Sequence, residues 1–599
     1  VVKYCLPRGG FWLISLAQTS ALGEVATQLG EIMYQELKDV WAEMTGETGM
    51  FAITDVEVRG ETLKTFALAP NSLRDVWMMS AGFAERDYII YEDERWTYGD
   101  AHVETAGIAN WMHENNIKHG DRVALAMRNY PEWMLTYWAL TSVGIGVVGV
   151  NAWWVTDELD YGLTDSAPKA IICDQERLKN LMPIRDKFPD MKIIGVRLPE
   201  PVEGVVDYAE LKNFGGEMPD VTLDGDDDAC IFYTSGTTGR PKGAQLTHRG
   251  CVLNIMNVAF MNLCATTALA RVDGTEDQLP APGEGPIGKT LVTTPLFHVT
   301  ANNCVVQPTT LMGGQIIHMY KWDAGEALKL IEREKITGIS GVPVMSREII
   351  AHPDFDKYDT TSLTALGGGG AQLQPDLVGK IDKALENGKP ATGYGMTETC
   401  GIITAVSSQY FIDRPESCGP IVPTLEAKVI DADGNDLAQG ELGELCVKGG
   451  NVIKGYLNRE EATAESIQQG WLRTGDIARM DEDGFVYIVD RAKDMVLRGG
   501  ENIYCAEVES AVFKHDGVAE CTVFGVEDER LGEEVGIAIV QAEGVELTAD
   551  EIREHCAKLL AKFKIPRYIW LRNDPLPRNA SGKFLKRELR DSLDPADAA

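Results

Sequence analysis

The sequence predicts an α/β protein, a large N-terminal lobe of helix-covered sheets followed by a small α+β C-terminal domain. Three observations predict it. Short β-rich runs alternate with helical patterns over most of the chain, its 599 residues exceed what one core can organise, and the pattern changes character after Asp490.

In the large lobe, RVALAM (122–127) reads as a strand and YPEWMLTYWALTSVG as an amphipathic helix. VVGVN then reads as a strand, DELDYGLTDS as a helix and AIICD (170–174) as a strand. Such alternation implies parallel sheets, because a parallel neighbour needs a helical crossover. APGEGPIG (281–288) reads as a surface loop. DADGND (431–436) resembles a calcium loop, but its glycine and closing glutamate fall at wrong positions, so a hairpin turn is expected. Past Asp490, AEVESAVFKHDGV, ECTVFGVED and EVGIAIVQ read as helix, strand, strand. The expected division is 1–60, an extension with no assigned role; 61–490, the main lobe; and 491–599, the C-terminal domain.

Charge narrows the function. The chain has 91 acidic against 56 basic residues, a net −35, which repels nucleic acid and anionic membrane surfaces. An acidic protein that handles a polyanion must concentrate positive charge locally. The segment from Lys558 to Arg590 does so, carrying Lys562, Lys564, Arg567, Arg572, Arg578, Lys583, Lys586 and Arg587 against only Asp574 and Glu588. The 12 cysteines are scattered without metal or redox spacing and suit a reducing, cytoplasmic compartment. No apolar stretch approaches the ~20 residues of an integral membrane segment. Lys3 and Arg8 precede the apolar Phe11–Ala17, but that run lacks a clear small-x-small cleavage site, so a disordered extension or a mis-set start is preferred to a secretory signal. A homodimer is compatible with the sequence.

The apolar strand ACIFY (229–233) leads directly into YTSGTTGRPKGAQ (233–245). Counted from Gly236, Pro241 replaces the second glycine of a P-loop and Gly243 its Ser/Thr, so that motif fails twice. What remains is a phosphate cradle. Thr234, Ser235, Thr237 and Thr238 supply hydroxyls, Gly236 and Gly239 let the backbone approach, and Lys242 adds a point charge.

TSGTTGRPKG is followed, in order, by TPLFH (294–298), GGGGA (367–371), GYGMTET (393–399), GWLRTGD (470–476), DRAKDMVLRGGENIY (490–504) and PRNASGK (577–583). In these motifs the chain resembles the adenylate-forming superfamily of acyl-CoA synthetases, peptide-synthetase adenylation domains and luciferases. The resemblance implies a small β-rich subdomain within the large lobe and a mobile C-terminal domain. It implies ATP, Mg2+ and CoA as cofactors, a carboxylic acid as substrate, and acyl-AMP as the intermediate passed to a thiol. Thr234 to Gly239 and Lys242 would hold the β- and γ-phosphates. Thr397 would contact the α-phosphate, and Glu398 with Thr238 would hold magnesium. Tyr394 and Gly395 would meet the adenine in front of a wall of Gly369, Gly370 and Ala371. Asp476 would accept from the ribose hydroxyls, with Arg491 on the other side. Lys583 would bridge carboxylate and α-phosphate. Lys493 would be the hinge, and Arg498, Gly499 and Gly500 would face CoA. His298 would position the acid beside an acyl pocket of Val299, Ala301, Asn302, Gly341 and Gly369.

The sequence departs from the family pattern at Cys505, where a proline is common, and at Leu497 and Arg498, where many relatives carry lysine. GGEN (499–502) resembles fatty-acyl and aryl ligases more than amino-acid activators. A medium- or long-chain fatty acyl group is therefore expected, with an aryl or cyclic acid as the competing reading. CoA is the expected acceptor because only 16 residues follow Lys583; loading of a separate carrier protein is the other reading. A scaffold without activity would not need Lys583, Glu398 and Asp476 together.

Overall fold

Two large sheets form from the alternating runs. The computed structural model describes residues 19–234, 240–281, 284–499, 501–579 and 583–599. The first sheet has seven strands in the order Lys242–Thr247, Asp228–Thr234, Gly146–Gly149, Arg122–Ala126, Ala170–Asp174, Lys192–Val196, Val206–Asp207. All its pairs are parallel except the first, where Asp228–Thr234 returns directly into Lys242–Thr247. The second sheet has eight strands and is parallel through its middle. Its two ends are antiparallel, Lys389–Met396 with Gly401–Ser407 and Asp87–Tyr91 with Glu94–Thr97. These antiparallel edges depart from the parallel sheets expected, for a simple reason. Connections as short as Thr397–Thr399 cannot carry a crossover.

The helix His248–Asp273 starts where the first sheet ends. Thr247 caps it by accepting from Gly250 N, and Gly274 closes it with φ +66°. This helix is long and apolar enough to span a membrane by length and composition, but it is a largely buried core element. A six-stranded sheet over 419–491 forms the β-rich subdomain. DADGND is a self-satisfied turn: Asp431 N donates to Asn435 O at 2.9 Å, and Asp431 Oδ1 accepts from Asp433 N and Asn435 N. Beyond Arg491 a five-stranded sheet with flanking helices has its own core around Val496, Val508, Ile537 and Ile569.

Two expectations are corrected. The N-terminal extension carries structure from Thr19 onward: the helix Thr19–Thr45 and the hairpin Ile53–Val58/Glu61–Phe66. Met33, Leu37, Val40, Trp41 and Met44 recur at helical spacing and pack into the main core. The signal-like run Phe11–Ala17 lies outside the described residues. The basic run 558–590 is only in part an open cationic patch, with Lys558, Lys562, Arg587 and Arg590 exposed. Lys564 pairs with Glu507, Arg567 with Asp528, Arg578 with Glu520 and Lys586 with Glu509. These four pairs lie within the small domain, and Arg578 and Lys583 are both brought to the cleft described next.

Candidate active site

Three separate segments meet where the phosphate loop ends. Lys242 opens the strand after the loop, Glu398 sits in the 3-10 turn between the antiparallel edge strands, and Tyr456 pairs with Ala244 from the segment 453–457. The Tyr456 hydroxyl donates to Glu398 Oε1 at 2.8 Å, and Lys242 Nζ lies 5.0 Å from the centroid of the same ring. Burial and the neighbouring Glu398 carboxylate push the Tyr456 hydroxyl above its ordinary pKa, so it stays a donor. Glu398 is itself buried and faces the cavity. One carboxylate suits Mg2+, which binds through one or two carboxylates together with phosphates and water.

A second cluster surrounds Asp476, placed by the strand Trp471–Met480. Its Oδ2 accepts from the Tyr394 hydroxyl at 2.6 Å, and Arg491 Nε lies 2.9 Å from Oδ1. Arg491 directly faces Asp476 because their strands are antiparallel and in register. Burial and Asp476 raise the Tyr394 pKa, and Asp476 raises that of Arg491, so the pair stays a neutral donor and a cation. The cavity wall beside them is made by Gly393, Gly395, Thr474 and Gly475 rather than by Tyr394 and Asp476 themselves.

Lys583 comes from the C-terminal unit. Asn579 Oδ1 accepts from its backbone N–H at 2.9 Å, and Asn579 N donates back to Lys583 O at 2.9 Å. Its side chain is accessible across the open cleft, yet enough protein surrounds it that desolvation, helped by Arg491, lowers its pKa. Asp476 and Glu398 act in the opposite direction, which places the ammonium within the field of both carboxylates. His298 precedes the short helix Val299–Ala301. Burial, with Lys583 adding to it, lowers its pKa to about 4, and its Nε2 is buried without a hydrogen-bond partner. It is a neutral ring aimed into the site, not a proton carrier at neutral pH.

Thr234, Lys242, His298, Thr397, Glu398 and Lys583 share one cavity of about 1910 Å³, as do Val299, Gly369, Gly370, Gly395, Arg491 and Lys493. A typical small-molecule site is about 300–1,000 Å³, so two ligands fit end to end. All four glycines at 367–370 line the cavity, and a Cβ on Gly367 would lie 1.8 Å from Ala391 O and one on Gly368 1.9 Å from Gly341 O, so these two also let the strands pack.

Several expected site residues are elsewhere. Ser235, Gly236, Thr237, Thr238, Gly239 and Gly500 lie outside the described residues. Ala371 is exposed and off the wall. Ala301 and Asn302 are buried away from the cavity, because Asn302–Val306 forms a π-turn that shifts the helical phase and presents Cys304 and Val305 instead. Gly341 is likewise covered, with Met345 Sδ and Thr293 Oγ1 each 2.8 Å from the position of a Cβ. Arg498 is held by Glu534 at 2.7 and 2.9 Å, and Gly499 N donates to Leu531 O, so neither faces the cleft in this arrangement. Tyr456 was missed by the sequence reading; its only signal was a Gly-Tyr pair after an apolar run.

Residues 78–457 match the family model of the AMP-binding enzymes, and residues 507–583 match that of the AMP-binding enzyme C-terminal domain. The chain belongs to the AMP-binding enzyme family. The curated relatives of this AMP-binding enzyme include a feruloyl-CoA synthase of an Amycolatopsis species, 35% identical over 497 residues, spanning 82% of this chain and 93% of the relative. A long-chain-fatty-acid–CoA ligase of Bacillus subtilis is 31% identical over 540 residues, spanning 85% and 92%. Among solved structures, the o-succinylbenzoate coenzyme A synthetase of Bacillus subtilis in complex with ATP and magnesium superposes with a TM-score of 0.72 at 28% identity, over 86% of this chain and 99% of that one. The AMP-binding enzyme described here is thus an AMP-forming acid–CoA ligase acting through an acyl-adenylate, with ATP, Mg2+ and CoA as its cofactors.

Proposed function

We propose that this ligase activates a medium- or long-chain fatty acid and transfers the acyl group to CoA. One observation carries the acid: the cavity continues past His298, Cys304 and Val305 along the helix His248–Asp273 to Met261 and Ala265. Gly250 of that helix packs on Cys400, immediately after the Thr397–Thr399 turn. With a rise of ~1.5 Å per residue, Ala265 lies roughly 22 Å further along the axis. An extended fatty acyl chain fills such a span, whereas a single phenylpropanoid ring leaves most of it empty. The identity of about a third with both a feruloyl-CoA synthase and a fatty-acid ligase makes the aryl acid the second reading.

In the first step two anions, carboxylate and triphosphate, must come into line. Lys242, Lys583 and Arg491 supply fixed positive charge in a partly desolvated site, where it is worth more than in water. Glu398, oriented by Tyr456, would hold Mg2+, which would supply charge neutralisation at the phosphates. The Lys583 ammonium would stabilise charge developing on the α-phosphate. Asp476 fixes Arg491 at the cavity, and neutral His298 orients the acid without protonating it. Hinge motion near Lys493 would then remove Lys583 and bring Arg498 and Gly499 toward CoA.

The test is AMP release, with and without CoA, across straight-chain acids from hexanoate to octadecanoate, beside ferulate and benzoate. CoA-dependent turnover that rises with chain length is expected, by about 3- to 4-fold per methylene while the chain still finds apolar wall. A preference for ferulate over decanoate would overturn the fatty-acyl reading in favour of the aryl one.

A further inference from the structure

The family match begins at residue 78, yet the cavity has walls from before that point. Leu37 and Trp41 of the helix Thr19–Thr45, with Met50 and Phe51 beyond it, line the same cavity as the catalytic cleft, beside Cys264 and Ala265 of the helix His248–Asp273. We propose that the Thr19–Thr45 helix forms the end wall of the acyl channel, with Trp41 as the residue that limits acyl chain length. The proposal rests on the fatty-acyl reading given above.

The wall is fixed in place. Trp41 stands edge-on to Phe260 at 4.7 Å between centroids, and Phe51 does so at 5.4 Å. The Cys264 thiol reaches Leu37 O at 3.9 Å. Arg271, in the last turn of the central helix, grips Glu43 through two nitrogens at 2.9 and 2.7 Å. Farther along, Lys38 Nζ meets Asp483 at 2.8 Å, and Tyr34 donates to Asp413 at 2.8 Å. Ion pairs at Lys38 and Glu43 flank the aromatic contact at Trp41 and leave this last part of the helix little freedom to yield to a longer chain. A large, rigid side chain at the far end of an apolar channel ends the gain per methylene, because the next carbon meets a wall instead of a void. Leu37 and Trp41 are both only half-buried, consistent with faces turned to the channel.

The test compares full-length wild type, Trp41→Ala and Leu37→Trp over the even-numbered acids from hexanoate to octadecanoate, reading kcat/KM for CoA-ester formation. Trp41→Ala should move the optimum up by two or more carbons, with about 10-fold gain on the first acid beyond the wild-type limit and hexanoate unchanged within two-fold. Leu37→Trp should move the optimum down. Profiles that superimpose on that of the wild type would overturn the proposal, and so would equal losses at every chain length, the mark of a merely structural helix. If the wild type itself prefers aromatic acids, the fatty-acyl reading falls and takes this proposal with it; if it prefers fatty acids and neither variant shifts the optimum, only the proposal falls.

Discussion

Tyr456 donates its phenolic hydrogen to Glu398 Oε1 at 2.8 Å across 58 positions of chain, and the same ring underlies Lys242. One neutral side chain therefore orients the carboxylate assigned to magnesium and supports the cation assigned to phosphate. Tyr456→Phe keeps the ring and removes the donor. A hydrogen bond to a charged group contributes about 1.5–3 kcal/mol, so kcat/KM for MgATP in acid-dependent pyrophosphate exchange should fall on the order of 10-fold. Thioester formation from supplied acyl-AMP should stay within two-fold. Equal loss in both half-reactions would argue against an orienting role at Glu398.

Lys583 divides the two half-reactions more sharply. Lys583→Ala should abolish acyl-AMP formation, by about 10³-fold or more if it stabilises transition-state charge as oxyanion-hole donors do, and still form thioester from supplied acyl-AMP. The sign of its pH dependence follows from its surroundings. The ammonium is the active form, and burial with Arg491 lowers its pKa below the ordinary 10.5. Adenylation should therefore decline on the alkaline side sooner than an exposed lysine would allow, and the thioester step should lack that limb.

His298 should show the opposite, an effect without pH dependence. Its pKa near 4 leaves it neutral from about pH 5 upward. His298→Asn should raise KM for the acid several-fold by the same factor at pH 6 and pH 8. An acidic limb near pH 6.5 that vanishes in the variant would show a proton-transfer role instead.

Asp490 links the lobes: its carboxylate accepts from Arg491 N and from Cys505 N of the small domain. Burial raises its pKa to about 6, against an ordinary 3.8. The fold thus favours the protonated acid. That contribution is complete below about pH 3.8 and is lost as pH rises through about 6. It amounts to at most about 3 kcal/mol at one pKa unit per 1.36 kcal/mol. Asp490→Asn should flatten the pH dependence of the unfolding midpoint between pH 4 and 7. A slope unchanged in the variant would remove Asp490 as its source.

The strands read at Arg122–Ala126, Ala170–Asp174 and Asp228–Thr234 were legible because each is an apolar run bounded by turn residues. The motif residues Lys242, Glu398, Arg491 and Lys583 were legible for another reason: their chemistry is tied to short local patterns. Ala301 and Asn302 were misplaced because a π-turn adds a residue to the repeat, which no periodicity count reveals. Trp41 and Tyr456 sit in segments with no chemical motif, and only their neighbours give them meaning.

By itself, then, the sequence determined the α/β lobes and marked out Lys242, Glu398 and Lys583 as residues that would share a site, because period and local composition act over a few residues. The tertiary structure alone decided that Tyr456 joins Glu398 to Lys242, that Lys564, Arg567, Arg578 and Lys586 of the basic C-terminal run pair internally, and that the first helix lines the cavity Lys583 enters. Those contacts join positions far apart in the chain, and their free energy exists only once the packed sheets have closed the distance.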